Sequence, residues 1–280
     1  MNPSTKLQST PNDTGQYVSC GMYSFNSSLQ VAWQTLFNEF FELENIPSTF
    51  RKELLDESNF KILTDPDLLL GHTCGYPLME TYQSYLAPVC VPVFSVPGVN
   101  NRHYCSFFIT AKDSDIECLN DCKNRIAAIN GPDSNSGMNV LRHAVGPLAN
   151  QSCFFSDVLV SGGHWDSVIA VSESRADVAA IDCVTFALLK DHQPDLIDSV
   201  KIIGSSTETC GLPFVIPLAN DDVATRQRMI DSLNTALSKL DHQTKSTLHL
   251  ERFEPVSLSD YQFILDIEDA AIQKGYPVLC

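Results

Sequence analysis

The sequence is poor in basic residues, lacks any long apolar run and has no closely paired cysteines. Its 280 residues include 18 lysines and arginines against 34 aspartates and glutamates, a formal net charge of −16. This balance argues against nucleic acid or an acidic membrane surface as partner. No segment reaches the ~18 apolar residues of a membrane span. No apolar export segment is recognisable, so we expect a cytoplasmic protein as the sequence stands, or a periplasmic one if an export signal was removed.

The ten cysteines are scattered, and no C-x-x-C pair occurs. Cys118 and Cys122 have no second pair or histidine nearby that would complete a zinc site, so we expect no metal. Several other cysteines lie in apolar runs, where a free thiol behaves as a small buried side chain. A reducing compartment fits this usage better, although disulfides stay open. No cluster of histidines or cysteines indicates iron, and we expect no cofactor.

Two consecutive units between residues 126 and 186 share one design. In the first, the apolar run Ile126–Ile129 is followed by a Gly/Pro/Ser/Asn turn and then by helical spacing from Met138. In the second, Val158–Val160 is followed by Ser-Gly-Gly and then by a helix start at His164. Each unit therefore predicts a strand, a small-residue loop and a helix N-terminus. The first N–H groups of a helix lack partners and carry partial positive charge, so the pair predicts a cradle for an oxyanion.

Alternating strand and helix patterns continue along the chain and predict an α/β protein with an open, largely parallel sheet. Residues 1–15 are expected to form a loose arm, and an aromatic stripe from Leu29 to Phe41 is expected to be core. We also predict short helices over 47–58 and 115–124. Gly and Pro interrupt strands near 98–104 and 205–213, which indicates two chain crossings. They predict lobe one over 16–100 plus 210–280, and an inserted lobe two over 101–209.

Seven segments in a fixed order resemble a known family: GMYSF, DPDLLLGHTCGYPL, HYCSFFITAKDS, INGPDSNSG, SGGHWDSVIAV, ADVAAIDC and GLPFV. They resemble the phosphate, phosphite and phosphonate substrate-binding proteins of ABC transporters. The resemblance covers roughly residues 17–220. It implies a two-lobed type II periplasmic-binding-protein fold, with two open mixed sheets flanked by helices and a two-strand hinge. It also implies non-catalytic binding of a small anionic ligand, phosphonate- or phosphate-like, with an ABC permease as the expected partner.

The resemblance also implies a set of ligand contacts. The family's S-x-S-G loop and the histidine of its G-H segment hold the phosphonate oxygens, and a tyrosine after the hinge faces the ligand. By position, and with the neighbouring loops, the ligand-binding candidates in this chain are Ser134, Asn135, Ser136, Gly137, His164, Tyr104, Asp182, Tyr23, Thr73 and Cys74. Family members that bind amino-phosphonates place a carboxylate near the G-x-P segment. Leu212 stands there, which argues against an amine-bearing ligand.

The residues alone leave alternatives open. His164 reads as a ligand contact or a core histidine, and Asp182 as the acceptor of a ligand hydroxyl or a helix cap. Thr73 and Cys74 fit the cleft or a buried turn, and Tyr23 fits stacking on a ligand or core packing. An enzyme with Cys74 or Ser136 as nucleophile and His164 as base is a competing function, although no G-x-S-x-G elbow occurs. A cytosolic metabolite sensor would use the same site.

Overall fold

A computed structural model describes residues 16–54, 60–150 and 152–280. The expected N-terminal arm over 1–15 and part of the helix expected over 47–58 lie outside these residues. Within them, the strands are β1 (Gln16–Ser19), β2 (Arg51–Leu54), β3 (Leu68–His72), β4 (Leu86–Phe94), β5 (Val99–Asn100), β6 (His103–Tyr104), β7 (Ser106–Ala111), β8 (Ile126–Ile129), β9 (Asp157–Val160), β10 (Val178–Asp182), β11 (Val200–Ser205), β12 (Thr209–Cys210), β13 (Phe214–Pro217) and β14 (Leu250–Pro255).

The α-helices in the same residues are α1 (Ser27–Leu43), α2 (Phe60–Leu63), α3 (Gly75–Pro77), α4 (Val140–Ala149), α5 (His164–Ser172), α6 (Cys183–His192), α7 (Pro194–Asp198), α8 (Val223–Lys239), α9 (His242–Leu248) and α10 (Gln262–Gln273). Two π-helical turns occur at Leu78–Tyr82 and Asn135–Asn139. No helix in the described ranges is long and apolar enough to cross a membrane.

Two open sheets of mixed strand direction form the framework. The first has the order β14-β4-β13-β3-β1-β2, and the second has the order β11-β7-β10-β8-β9. β1 pairs in parallel with β2 and β3, whereas β13 and β14 run antiparallel to their neighbours. In the second sheet β8, β9 and β10 are parallel, and β7 is antiparallel to β10 and β11. The expectation of a largely parallel sheet, drawn from the alternating pattern, is therefore wrong. Both sheets contain antiparallel pairs in addition to their parallel ones.

A small third sheet, in the order β12-β6-β5, lies where the chain passes between the two larger ones. The chain leaves the first sheet through β5 and β6, enters the second at β7, and returns from β11 through β12 to β13. The C-terminal segment packs against the second sheet's side: α10 contacts α4, and Cys280 is disulfide-bonded to Cys153. The predicted lobe boundaries, 16–100 plus 210–280 and 101–209, remain a prediction.

The apolar patterns explain how the helices cover the sheets. α1 begins after Asn26, whose side chain accepts a hydrogen bond from the Leu29 amide at 2.9 Å. Its aromatic stripe is core, as expected, because all of these side chains are buried: Leu29, Trp33, Leu36, Phe37, Phe40 and Phe41. Every residue of β4 is buried as well, which is typical of a strand covered on both faces.

Some local expectations are wrong. Residues 115–124 form only one 3₁₀ turn, Leu119–Cys122. The carboxylate of Asp121 accepts hydrogen bonds from the backbone amides of Glu117 and Cys118, and these bonds cap the turn tightly. Within 47–58, a 3₁₀ turn at Ser48–Phe50 leads directly into β2, which pairs with β1. β14 and α9 were not predicted at all. Cross-strand pairing decides β2 and β14, and local periodicity does not report it.

Candidate functional site

Three loops open at the same edge of the second sheet. β8 lies between β9 and β10, and all three strands are parallel, so their carboxyl ends meet at one edge. After β8 the chain enters the Asn135–Asn139 turn, after β9 it enters α5, and after β10 it enters α6. This is the crevice in which open α/β sheets bind ligands. The two sequence units thus lie side by side.

The first loop is held in a tight π-helical turn. Ser134 caps this turn, and its Oγ accepts the Gly137 amide at 3.0 Å. A Cβ on Gly137 would lie 1.8 Å from Oδ1 of Asn130, so only glycine allows this close approach. Ser134 and Ser136 line a cavity together with Asn130, whereas Gly137 shapes the loop without lining that cavity.

His164 and Ser136 meet across the two loops. His164 is the first residue of α5, and the residue before it is Gly163, which has no side chain that could cap the helix. No side chain at this position therefore competes with a ligand for the first amides of α5. Nε2 of His164 lies 2.8 Å from Oγ of Ser136 and 3.5 Å from Oδ2 of Asp182. Burial lowers the pKa of His164 more than the Asp182 carboxylate and the Ala180 backbone raise it. The ring is therefore uncharged at neutral pH before any ligand binds.

Asp182 ends β10 and caps α6. Its Oδ1 accepts the amide of Thr185 at 2.9 Å, so the helix-cap role considered for Asp182 is observed. The residue is nevertheless only 2% exposed and lines the same cavity as Ser136 and His164. Both roles can coexist, because the second carboxylate oxygen is not used by the cap.

Segments that follow β1 and β3 of the first sheet also contribute to the cavity wall. Tyr23, Thr73 and Cys74 all line it, as expected. Tyr23 also packs edge-on against Phe94, with ring centroids 5.1 Å apart, so it belongs to the core and to the cavity wall. Burial raises the pKa of the Cys74 thiol, with smaller opposing effects from the Asn135 and Tyr76 backbones. A protonated thiol is a weak nucleophile, which disfavours the enzyme alternative.

Asn135 and Tyr104, two of the predicted ligand contacts, are not among the residues that line this cavity. The Asn135 side chain donates to Oγ1 of Thr209 at 3.0 Å and accepts from Asn139 at 3.2 Å, so it serves a buried polar network. Tyr104 is buried in β6 of the small third sheet and does not line the cavity. Burial raises the pKa of Tyr104 well above its usual value, although hydrogen bonds with the Asn135 and Ser136 side chains lower it. Tyr104 therefore contacts the loop that carries Ser136.

The cavity is small and contains no cationic side chain. Its volume is about 130 Å³, and the described residues that line it include no lysine or arginine. Sequence reasoning proposed seven of them as ligand contacts and discussed Leu212 as a position near the ligand. It did not single out the others: Met22, Pro77, Tyr82, Asn130, Asp133 and Thr185. An adjoining chamber of about 520 Å³ extends outward past His164, Phe25 and Trp165.

A separate surface groove of about 530 Å³ lies between α1 and α9. It is lined by residues such as Ser28 and Thr244 and by none of the predicted ligand contacts. The smaller cavity is therefore the candidate site, and the ligand contacts within it remain predictions.

Solved structures of related architecture share this fold. A binding protein component of an ABC phosphonate transporter from Pseudomonas aeruginosa is 18% identical, matched over 93% of this chain and 87% of its own, with a TM-score of 0.75. PhnD1 from Prochlorococcus marinus, in complex with methylphosphonate, is 15% identical over 94% of this chain and 100% of its own, with a TM-score of 0.68. The alkanesulfonate-binding protein SsuA from Xanthomonas axonopodis pv. citri, bound to MOPS, is 14% identical over 95% and 96%, with a TM-score of 0.63.

At these identities the likeness establishes the fold, and the type II periplasmic-binding architecture expected from the sequence is confirmed. No curated protein matches the chain in sequence. The family model for the periplasmic substrate-binding protein of phosphonate ABC transporters matches residues 70–261, well over half of the chain. The chain therefore belongs to the family of periplasmic substrate-binding proteins of phosphonate ABC transporters, which bind their ligands without converting them.

Proposed function

We propose that the chain binds a phosphonate- or phosphate-like oxyanion in the 130 Å³ cavity, as the substrate-binding component of an ABC-type uptake system. The observation that carries this proposal is the 2.8 Å contact between Ser136 Oγ and His164 Nε2. These side chains come from two separate loops, and both line the cavity. An oxyanion bound beside this pair would receive hydrogen bonds from both units at once.

The chemistry of the walls supports an anion held by neutral donors. The start of α5 offers backbone amides with partial positive charge, and the Ser134, Ser136 and Thr73 hydroxyls line the cavity. Such fixed dipoles stabilise an anion locally, and the net charge of −16 is screened beyond ~8 Å. The uncharged His164 can donate one hydrogen bond, and a bound anion would raise its pKa.

The ligands of the structural relatives agree in one feature. PhnD1 from Prochlorococcus marinus holds methylphosphonate, and SsuA from Xanthomonas axonopodis holds MOPS, a sulfonate. Both ligands present three oxygens on a tetrahedral centre. The small cavity of this chain fits such a head group, and the adjoining 520 Å³ chamber fits a substituent.

We further propose that the protein acts outside the reducing cytoplasm and delivers its ligand to an ABC permease. Proteins of the family are periplasmic, and the Cys153–Cys280 disulfide fits an oxidising compartment. This proposal replaces the reducing compartment that the scattered cysteines favoured. Cell fractionation tests it, and recovery of the protein in the cytoplasmic fraction would favour a sensor with the same site.

Calorimetric titration tests the binding site. Wild-type protein is titrated with methylphosphonate and with phosphate, alongside Ser136→Ala and His164→Ala. Each variant should bind roughly 10- to 100-fold more weakly, because a hydrogen bond to a charged ligand is lost. The matched controls Ser238→Ala and His242→Ala change exposed residues outside the cavity and should bind as the wild type does. Unchanged affinity in both site variants would refute the assignment.

A further inference from the structure

Asp182 has one carboxylate oxygen that the fold does not satisfy. Oδ1 accepts the Thr185 amide, but within the described residues no hydrogen bond reaches Oδ2. The nearest ionisable nitrogen to Oδ2 is Nε2 of His164, at 3.5 Å, and burial lowers the pKa of that ring. Oδ2 therefore lies at the cavity wall with free lone pairs and without a cation beside it.

A buried carboxylate is an unusual wall for an anion site, and Asp133, the other carboxylate in the lining, is exposed. An ionised carboxylate can only accept hydrogen bonds, so it repels an oxygen that carries charge and no proton. The described lining residues provide no lysine or arginine that would neutralise this repulsion. The cavity thus combines donors from Ser136 and His164 with several acceptors. These include Oδ2 of Asp182 and Oδ1 of Asn130, which is unpaired among the described residues. Of these two, only Asp182 carries a negative charge.

We infer, on the basis of the function proposed above, that Asp182 selects oxyanions that carry a proton. A phosphonate monoanion presents two unprotonated oxygens to the donors and one P–O–H group, which donates to Asp182 Oδ2. A phosphate monoanion has two P–O–H groups, and one of them donates to the same oxygen. A sulfonate has the same tetrahedral shape but no proton at neutral pH. Its third oxygen faces the carboxylate directly, so the site rejects it.

The test compares methylphosphonate with methanesulfonate by calorimetry at pH 6.5, because these ligands differ chiefly in the proton. Wild-type protein should bind methylphosphonate roughly 10- to 100-fold more tightly, since a sulfonate leaves the buried carboxylate unpaired. In Asp182→Asn the amide can still cap α6 and can donate to a third charged oxygen. Methanesulfonate affinity should therefore rise in this variant, and the preference should fall to about twofold or less.

Two further variants separate selection from capping. Asp222→Asn changes another aspartate that caps a helix, with Oδ1 accepting the Thr225 amide at 2.9 Å, but it lies outside the cavity and should keep the wild-type preference. Asp182→Ser also keeps a capping hydroxyl and removes the carboxylate, so it should lose the preference even if Asp182→Asn folds poorly. Thermal unfolding without ligand monitors the fold of each variant.

Each outcome decides the inference. A wild-type preference that persists in both Asp182 variants would overturn it, as would an equal loss of affinity for both ligands. Equal binding of the two ligands by wild-type protein would overturn the selection and leave the proposed function standing. Binding of neither ligand by wild-type protein would overturn both.

Discussion

The fully buried His72 should make folding stability sensitive to mild acid. Burial lowers the pKa of His72 from 6.5 to about 3, and a hydrogen bond with the Leu212 backbone opposes this shift only in part. Below pH 6.5 the unfolded chain takes up a proton on this ring, and the folded chain does not until the pH approaches 3. Stability from His72 is therefore complete above 6.5 and is lost as the pH falls.

The magnitude follows from the size of the shift. Each pH unit below the unfolded pKa costs about 1.4 kcal/mol of unfolding free energy until the folded pKa is reached. A change from pH 7.5 to pH 5 should therefore remove about 2 kcal/mol through His72 alone. Carboxylates with lowered pKa, such as Asp222 and Asp241, lose their contribution only below their unfolded value of 3.8, so they do not interfere in this window.

The assay is urea unfolding at both pH values. His72→Phe keeps a flat ring against Phe214, on which the imidazole stacks with centroids 4.4 Å apart, but it cannot take up a proton. The variant should lose about 2 kcal/mol less than the wild type between the two pH values. His242→Ala, at an exposed histidine, should behave like the wild type. An equal loss in His72→Phe and wild type would refute the reasoning.

Two other perturbations test the loop and the C-terminal anchor. Gly137→Ala should lower stability by about 1–3 kcal/mol, because its Cβ must displace Asn130, and Gly204→Ala, where the nearest atom lies 3.5 Å away, should cost clearly less in thermal unfolding. Cys280→Ser breaks the bond to Cys153, which closes a loop with a sequence separation of 127, and should cost about 2–5 kcal/mol. Reduced wild-type protein should unfold with the same midpoint as this variant, and an unchanged midpoint in both would contradict the prediction.

The local design of the site could be predicted from the sequence. The run Ile126–Ile129 forms β8 with the predicted bounds, and α5 begins at His164 as its flanking glycines indicated. Periodicity and small-residue loops report such features because they depend on neighbours within a few positions of the chain. The order of seven such segments also carried the family resemblance, which the family model confirms.

Other members of the cavity wall could not be found in this way. Tyr82 and Thr185 come from segments far apart in the chain, and no motif marks them. Asn135 follows the pattern of a ligand contact, and its side chain also donates a hydrogen bond to Thr209 of the small third sheet, which local sequence could not indicate. Contacts of this kind depend on how the two large sheets are brought together.

The sequence by itself therefore determined the strand–loop–helix units, their helix starts and the aromatic core of α1. The tertiary structure alone decided that β8, β9 and β10 lie side by side, which brings Ser136, His164 and Asp182 to one cavity. It alone paired Cys153 with Cys280 and placed β14 beside β4. The physical reason is that hydrogen-bonding patterns and apolar periodicity act locally, whereas strand pairing and side-chain direction depend on packing between distant segments.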